Sequence, residues 1–148
     1  MLIGQNKRFE GFGYVEHLTM SIPPWQLPIE ELRWGRFLSD DDALVWINWR
    51  GVKPLNLVFH NGLQIRDAVL TEHRLEAPQF ALNLAENAIL REGPLARTAL
   101  SMIPGVSRLF PVQILRAREC KWVSRGVLKK TETDVSSGWA IHEIVRFQ

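Results

Sequence analysis

The clearest structural signal in the sequence is PLNLVFH-NG-LQIRDAVLT, residues 54–71, in which two alternating segments flank an Asn-Gly pair. Apolar side chains recur at every second position of the first segment, which is the period of a β-strand with one buried face. Asn61 and Gly62 suit a two-residue type I′ turn, because both of its central positions need a positive φ. The stretch therefore predicts an antiparallel hairpin with strands at 54–60 and 63–71.

The same period of two continues on both sides of this hairpin. Residues 42–51, DALVWINWRG, carry a tryptophan on each face and follow ELRWGRFL, residues 31–38, after a polar turn. This arrangement predicts a second antiparallel hairpin. Residues 112–131 and 138–147 alternate again on either side of a polar turn, and they predict a third, longer hairpin.

The segment between these hairpins is ambiguous. FALNLAENAILREG, residues 80–93, is compatible with two short strands about a turn or with a helix, since alanine, leucine and glutamate favour a helix. Pro94 stands where the first residue of a helix is expected, and Pro104-Gly105 provides a stop. Residues 94–103 are therefore predicted to form a short helix or an irregular crossing loop.

The chain has 148 residues, 46% of them hydrophobic, which is enough for one substantial core and short for two. With a further strand at residues 10–20, the pattern amounts to about eight to ten strands joined mostly by short connections. The sequence has no internal repeat and no domain linker. We therefore predict one antiparallel all-β domain over residues 1–148, either a barrel or a sandwich.

Composition and motifs narrow the classes of partner. The net charge is only +2 and the 18 basic residues are scattered, so no nucleic-acid partner is predicted. No apolar run approaches the ~20 residues that span a membrane, and no signal peptide is apparent, so no integral membrane segment and a cytoplasmic location are predicted. Cys120, the lone cysteine, fits a reducing compartment. Phosphate-loop, dinucleotide and nucleophile-elbow motifs are absent, and no histidine spacing supports a metal, so neither cofactor nor metal is predicted.

Four short motifs together resemble a known family. They are GFGYVEH (11–17), WGRF followed by VWINWRG (34–37 and 45–51), MIPGVSRLFP (102–111) and GWAIHEIVRF (138–147). In this order they resemble the lipocalin-like superfamily that includes tocopherol cyclases and carotenoid hydratases. The resemblance implies a lipocalin-like barrel that handles hydrophobic isoprenoid or lipid-like molecules. Members typically carry two such barrels, and a homodimer of this chain would supply the second.

Tryptophan is the most informative residue type, with six in the chain. Trp34, Trp46 and Trp49 lie close together in the sequence, which indicates either a large aromatic core or the lining of a hydrophobic pocket. We predict that they contact a hydrophobic small molecule. The other predicted ligand contacts are Trp139, His17 and His142.

Glu143 interrupts an apolar row in the closing strand. A buried carboxylate without a partner has a raised pKa, which suits a general acid; protonation of an isoprenoid is the step that the resemblance implies. The alternative is an ion pair with an inward arginine of the preceding strand, Arg116 or Arg118. The residues that share the strand face with this carboxylate are Trp139, Ile141, Val145 and Phe147.

Glu16 is a second carboxylate in an apolar row, on a strand face that it shares with Tyr14. If the first and last strands pair to close a barrel, Glu16 and Glu143 meet and one pKa rises further, with Tyr14 as a hydrogen-bond partner. The leading hypothesis is thus a barrel that binds a hydrophobic molecule, with or without acid-catalysed cyclase, isomerase or hydratase activity. The alternative is a non-catalytic domain that forms a homo-oligomer through a tryptophan-rich surface.

Overall fold

The computed structural model of the chain describes residues 15, 17, 19, 21–23, 26, 28–98 and 110–147. Nearly all regular structure in these ranges is antiparallel β-sheet, so the predicted all-β class is confirmed. The elements are β1 (Ile29–Leu38), β2 (Ala43–Gly51), β3 (Leu55–His60), β4 (Leu63–Ile65), β5 (Val69–Leu70), β6 (Arg74–Ala77), β7 (Phe80–Pro94), α1 (Val112–Arg116), β8 (Arg118–Lys129) and β9 (Val135–Arg146).

The strands form a single sheet in the order β4-β3-β2-β1-β9-β8-β7-β6-β5. Its two end strands, β4 and β5, are consecutive in the chain and are joined by residues 66–68 only, so the sheet curls until its ends meet. The Asn56 side chain of β3 donates a hydrogen bond to the Ala68 carbonyl in this connection, at 2.6 Å. The result is a curled half-barrel with a concave inner face and a convex outer face.

The predicted hairpins are present, with one correction. Asn61 and Gly62 have φ values of 49° and 81°, as a type I′ turn requires. The second strand of this hairpin ends at Ile65, however, and does not continue to residue 71. Asp67 has a φ of 60°, a conformation that interrupts the extended backbone, and Val69 then begins a new strand that pairs with β6.

Two further predictions change between residues 80 and 117. Phe80–Pro94 is one strand, β7, because pairing with β8 along its length overrides the helix propensity. Its register with β8 is irregular after Ala85 and again after Ile89. The strand predicted from residue 112 begins with α1 instead. The Pro111 carbonyl accepts hydrogen bonds from the Ile114 and Leu115 N–H groups, and proline suits a first helical turn.

The predicted helix or crossing loop at residues 94–103 is only partly described. The N–H groups of Arg97 and Thr98 both donate to the Pro94 carbonyl, which makes a short turn, and residues 99–103 lie outside the described residues. The described helix α1 has five residues, and no helix in the described ranges is long and apolar enough to cross a membrane.

The hydrophobic core lies on the inner face of the sheet. It is built from alternate residues of the strands, so each strand contributes one of its two faces. Small residues occupy several inner positions and allow the sheet to curl tightly around the larger ones. The larger core residues are Phe37, Leu44, Trp46, Val58, Leu70, Leu75, Phe80, Leu82, Leu84 and Leu128.

Candidate functional site

His142 lies at the centre of the inner face, with 3% of its surface exposed. Its Nε2 atom is 2.8 Å from the Ser124 hydroxyl, and its ring stacks on Trp122 with the centroids 5.1 Å apart. The Trp46 ring lies 6.4 Å away on the other flank. Burial, with a smaller contribution from the charge of His73, lowers the pKa of His142 to about 4. The imidazole is therefore neutral at pH 7 and is enclosed by aromatic rings.

A small cleft extends from the loop between β5 and β6 to His142. Its walls include Arg33, Trp46, Glu72 and His142, and its volume is about 10 Å³, space for about one water molecule. Pockets for drug-sized ligands measure roughly 300–1,000 Å³, so this cleft holds no isoprenoid. Trp46 and His142, both predicted ligand contacts, are packing neighbours within the core.

Asp42 joins four parts of the sheet at the opposite end of the half-barrel. Its carboxylate, 1% exposed, lies 2.7 Å from His60 Nε2 and 3.2 Å from Lys130 Nζ, and it accepts a 2.5 Å hydrogen bond from Ser136. Burial alone raises the pKa of Asp42, but the hydrogen bonds from Ser136, His60 and Lys130 outweigh it and hold the pKa below its usual range. From the sequence alone, Asp42 is predicted only to be part of the polar turn between the first two strands.

The outer face of β1, β2 and β3 is apolar at almost every position. Cross-strand pairing places its residues in three rows of three, and Arg36, at a corner, is the one charged member. All of these side chains are partly exposed to solvent. We call the eight apolar residues the apolar grid: Leu32, Trp34, Val45, Ile47, Trp49, Leu55, Leu57 and Phe59.

Three of the four tryptophans predicted to contact ligand lie on this outer side. Trp34 belongs to the grid, and the charged groups of Arg36 and Lys121 each lie 5.4 Å from its ring centroid. Trp139 is 56% exposed, with the Arg125 guanidinium 5.2 Å from its ring. Trp49 donates its indole N–H to the Lys53 carbonyl at 2.8 Å. These three side chains therefore do not line a common pocket with the inner Trp46.

The predicted interior position of Glu143 is wrong. The buried face of β9 carries Ala140, His142 and Ile144, so Glu143 lies on the outer face with Trp139. Strand alternation could not decide between the two faces, because both are largely apolar.

The ion-pair alternative for Glu143 is correct in kind, with a different partner. The carboxylate lies 3.1 Å from Lys121 Nζ on the neighbouring strand β8. The arginines that were predicted for this role lie elsewhere: Arg116 is in α1, and Arg118 is exposed and pairs in register with Arg146. The Glu143 carboxylate in this apolar row is thus compensated by an ion pair on the convex face.

The strand pairing that was predicted to bring Glu16 beside Glu143 is not available at β9. Both edges of β9 are occupied, one by β1 and the other by β8, so a strand carrying Glu16 has no edge of β9 to pair with. Glu16 and Tyr14 themselves lie outside the described residues. His17 is described as an exposed residue outside the sheet, whereas His142 is buried, so the structure does not bring the two histidines into one site.

Neither a metal-binding cluster among the described residues nor a match to a known family assigns a function to this chain. Within the described ranges, no group of three or more His, Cys, Asp or Glu side chains is arranged to hold a metal ion. Burial, reinforced by Glu92 and Glu72, raises the pKa of the Cys120 thiol, which makes it a poor nucleophile. No protein-family model matches the chain, and a search of curated proteins finds no significant match. The lipocalin-like resemblance therefore stays a prediction.

Proposed function

We propose that this chain is a non-catalytic interaction domain that forms a homodimer through the outer face of its sheet. The observation that carries the proposal is the apolar grid on β1, β2 and β3, where large apolar side chains pair across three strands and remain partly exposed. An antiparallel sheet that faces water normally alternates apolar and polar faces. A sheet that is apolar on both faces gains stability when a second layer covers it.

The geometry of the grid suits a second sheet as that layer. Two twisted sheets pack face to face about 10 Å apart with their strands within about 30°, because the twist of each matches the other. A face four strands wide and three rows long, with β9 beside the grid, spans roughly 19 by 20 Å, or about 390 Å² in flat projection. Side-chain relief increases this area towards the roughly 600 Å² per partner of small specific interfaces.

The charge distribution favours a second copy of this chain as the partner. The part of the grid on β2 and β3 consists of Val45, Ile47, Trp49 and their cross-strand partners, with no charged residue among them. Two copies can therefore approach here without like-charge repulsion, although each carries a net charge of +2. The two-fold pairing of identical apolar patches is the commonest arrangement of soluble oligomers.

The test is the mass of the protein in solution. Sedimentation velocity over a concentration series should show a monomer–dimer equilibrium for the native sequence. The Leu57→Lys variant places a charge in the middle of the grid edge and should shift the equilibrium to monomer, while far-ultraviolet circular dichroism stays native. Leu63→Lys is the matched control: Leu63 is 73% exposed on β4, outside the grid, and its replacement should leave the dimer intact.

A monomer at all concentrations would overturn the proposal, and so would a dimer that survives Leu57→Lys. Native mass spectrometry of the freshly purified protein adds a second arm. Mass in excess of the chain, matching a co-purified lipid or isoprenoid, would support the other candidate, a hydrophobic-ligand domain.

That second candidate is supported by an exposed apolar side chain on the inner face. Ile89, 58% exposed, is the cross-strand partner of Trp122, which stacks on His142. A hydrophobic ligand would lie against Ile89 and Trp122, since the cleft beside His142 is too small to hold it. In that case Trp122→Ala should abolish the co-purified mass and leave the oligomeric state unchanged. Acid catalysis by Glu143 would need a substrate on the opposite, outer face of β9, where the carboxylate is already engaged by Lys121.

A further inference from the structure

A row of arginines crosses the concave face at the end of the sheet where β8 begins. Four neighbouring strands each contribute one side chain to it, and the cross-strand register aligns Arg50 of β2, Glu31 of β1, Arg146 of β9 and Arg118 of β8. Arg146 shares its face of β9 with the buried His142 and Ile144, so the row lies on the concave side. Cross-strand partners point to the same face of a sheet, with neighbouring strands about 4.8 Å apart. The row therefore holds three guanidinium groups and a single carboxylate on one surface.

The single carboxylate of the row is already engaged within the chain. Glu31 accepts hydrogen bonds from the Nε atoms of Arg33 and Arg146, at 2.8 Å and 3.0 Å, and the Arg50 guanidinium lies 3.7 Å away. Burial raises the pKa of Glu31, but these arginines outweigh it and hold the pKa below its usual range. Glu31 is therefore ionised at neutral pH, and its negative charge is shared by three guanidinium groups.

Within the described residues, Arg118 stands at the end of the row without an acidic partner. Its cross-strand partner on β9 is another arginine, Arg146. Two other carboxylates, Glu92 on β7 and Glu72 in the loop after β5, lie further along the concave face, and neither forms an ion pair with Arg118. The end of the row thus carries two neighbouring positive charges, of which only the charge of Arg146 has an acid beside it.

Directly opposed like charges destabilise an antiparallel pair of strands. Arg118 and Arg146 are in this position, and both side chains are exposed to solvent. Arg146 uses its Nε atom on Glu31, which leaves the terminal nitrogens of Arg146 and the whole guanidinium of Arg118 without a hydrogen-bond partner among the described residues. A guanidinium presents five N–H donors in a planar fork that matches the oxygens of a carboxylate or a phosphate. An anion with several oxygens would meet both forks and cancel the repulsion between them.

We propose that Arg118 and Arg146 form a binding site for a phosphate group, held between their two guanidinium groups. A phosphate monoester carries about two negative charges at neutral pH and three acceptor oxygens, which match two positive charges and two forks of donors. A carboxylate brings a single charge and leaves the other arginine uncompensated. Inorganic phosphate, a soluble monoester and a lipid headgroup share this chemistry. The site lies on the face opposite to the apolar grid, so it does not depend on the proposed homodimer.

Isothermal titration calorimetry with inorganic phosphate tests the proposal, at constant ionic strength so that screening by salt does not change. The native protein should bind phosphate, and phosphate should raise its melting temperature, because a ligand of the folded state stabilises that state. Arg118→Gln removes one fork and leaves Glu31 with its partners, so it should weaken the binding at least about tenfold. The matched control is Arg125→Gln: Arg125 is an exposed arginine of the same strand beside Trp139 on the outer face, and its replacement should leave the phosphate affinity unchanged.

The melting temperature without phosphate distinguishes a binding role of Arg118 from a structural one. Because Arg118 and Arg146 repel each other, Arg118→Gln should melt at the native temperature or slightly above it in phosphate-free buffer, and it should lose the rise that phosphate causes. A variant that melts at a lower temperature without phosphate would assign Arg118 a structural role and overturn the proposal. No binding of phosphate by the native protein, or an unchanged affinity in Arg118→Gln, would overturn it as well.

Two further ligands identify the source of the phosphate group. Glycerol phosphate that binds at least about tenfold more tightly than inorganic phosphate would assign a soluble monoester. Vesicles of phosphatidylcholine with phosphatidic acid that sediment the native protein, but not Arg118→Gln, would assign a lipid headgroup. Inorganic phosphate as the tightest of the three ligands would assign the free ion. Each of these results supports the site, because each requires Arg118.

Discussion

The inner and outer faces of β9 differ more in side-chain size than in polarity over residues 138–142. On β9 the inner positions hold Gly138, Ala140 and His142, while the outer positions between them hold Trp139 and Ile141. A tightly curled sheet offers less room on its concave side than on its convex side. Curvature, and not hydrophobicity alone, therefore assigns the faces of a strand that is apolar on both sides.

Two inner glycines show how little room the concave side has. A Cβ atom at Gly35 would lie 2.6 Å from the Cβ atom of His142 and even closer to the Trp46 ring. At Gly126 a Cβ atom would lie 2.5 Å from the ring of Phe37. These glycines are therefore required by close packing, whereas the tryptophan that precedes Gly35 points to the roomy convex side.

The largest expected difference between the faces is in the cost of truncating an aromatic side chain. Phe37→Ala removes a fully buried ring and should lower the free energy of unfolding by about 3–5 kcal/mol, the usual range for a core Phe→Ala change. Trp139→Ala removes a larger ring from the exposed side and should cost less than about 1 kcal/mol. Urea unfolding of both variants, at concentrations where the chain is monomeric, measures the difference. Equal costs would mean that the outer face is covered within the monomer.

Removing the charge of the buried Asp42 carboxylate should lower the free energy of unfolding by a slightly smaller amount. Asp42→Asn keeps the shape of the side chain but removes the charge that Lys130 and the other donors compensate, and it should cost about 3 kcal/mol at pH 7. Because the folded-state pKa of Asp42 lies below its usual value, this stabilisation is present above about pH 4 and is lost as the pH falls further. Urea unfolding of both proteins from pH 7 to pH 3 should therefore show the gap closing only in acid. A gap independent of pH would contradict the charge-based account.

His142 should produce a separate acid effect at higher pH. Its pKa of about 4 in the folded chain lies below the ordinary value of 6.5, so the unfolded chain binds a proton first as the pH falls. Stability that is complete above about pH 7 should decline by roughly 2–3 kcal/mol between pH 6.5 and pH 4. The variant His142→Gln retains a partner for Ser124 and should lack this decline. Comparing the two unfolding curves over that window isolates His142 from the other histidines; identical slopes would rule out the effect.

The sequence could predict the strands and hairpins because local rules determine them. Asn61-Gly62 defines its turn through backbone conformation, and the alternation before and after it follows from the two-residue period. The continuous strand β7 and the helix α1 were missed because the first depends on its pairing with β8 and the second is only one turn long. Long-range pairing of this kind leaves no trace in a local window.

The candidate site was less predictable than the fold. The Glu143 carboxylate stands out among apolar residues in the sequence, but its pairing with Lys121 depends on the register between β8 and β9. The usable signal was the small residues: Gly138 and Ala140 mark the concave side of β9, and Gly35 does the same for β1. The hydrogen bonds to Asp42 could not be predicted from the sequence, because their donors, His60, Lys130 and Ser136, are distant from Asp42 in the chain.

The smallest expected effect concerns Glu143, the outer neighbour of His142 on β9. Glu143→Gln should lower the free energy of unfolding of the monomer by less than about 1 kcal/mol, because partly exposed ion pairs contribute little. The pair Glu143→Gln and Lys121→Met, made singly and together, gives the coupling energy, which should also stay within about 1 kcal/mol. A much larger cost would indicate that both charges are desolvated in the monomer, and the outer face would then be an interior face like the other. A small cost in the monomer together with weaker dimerisation would instead assign the role of this carboxylate to association, where the covering layer removes its water.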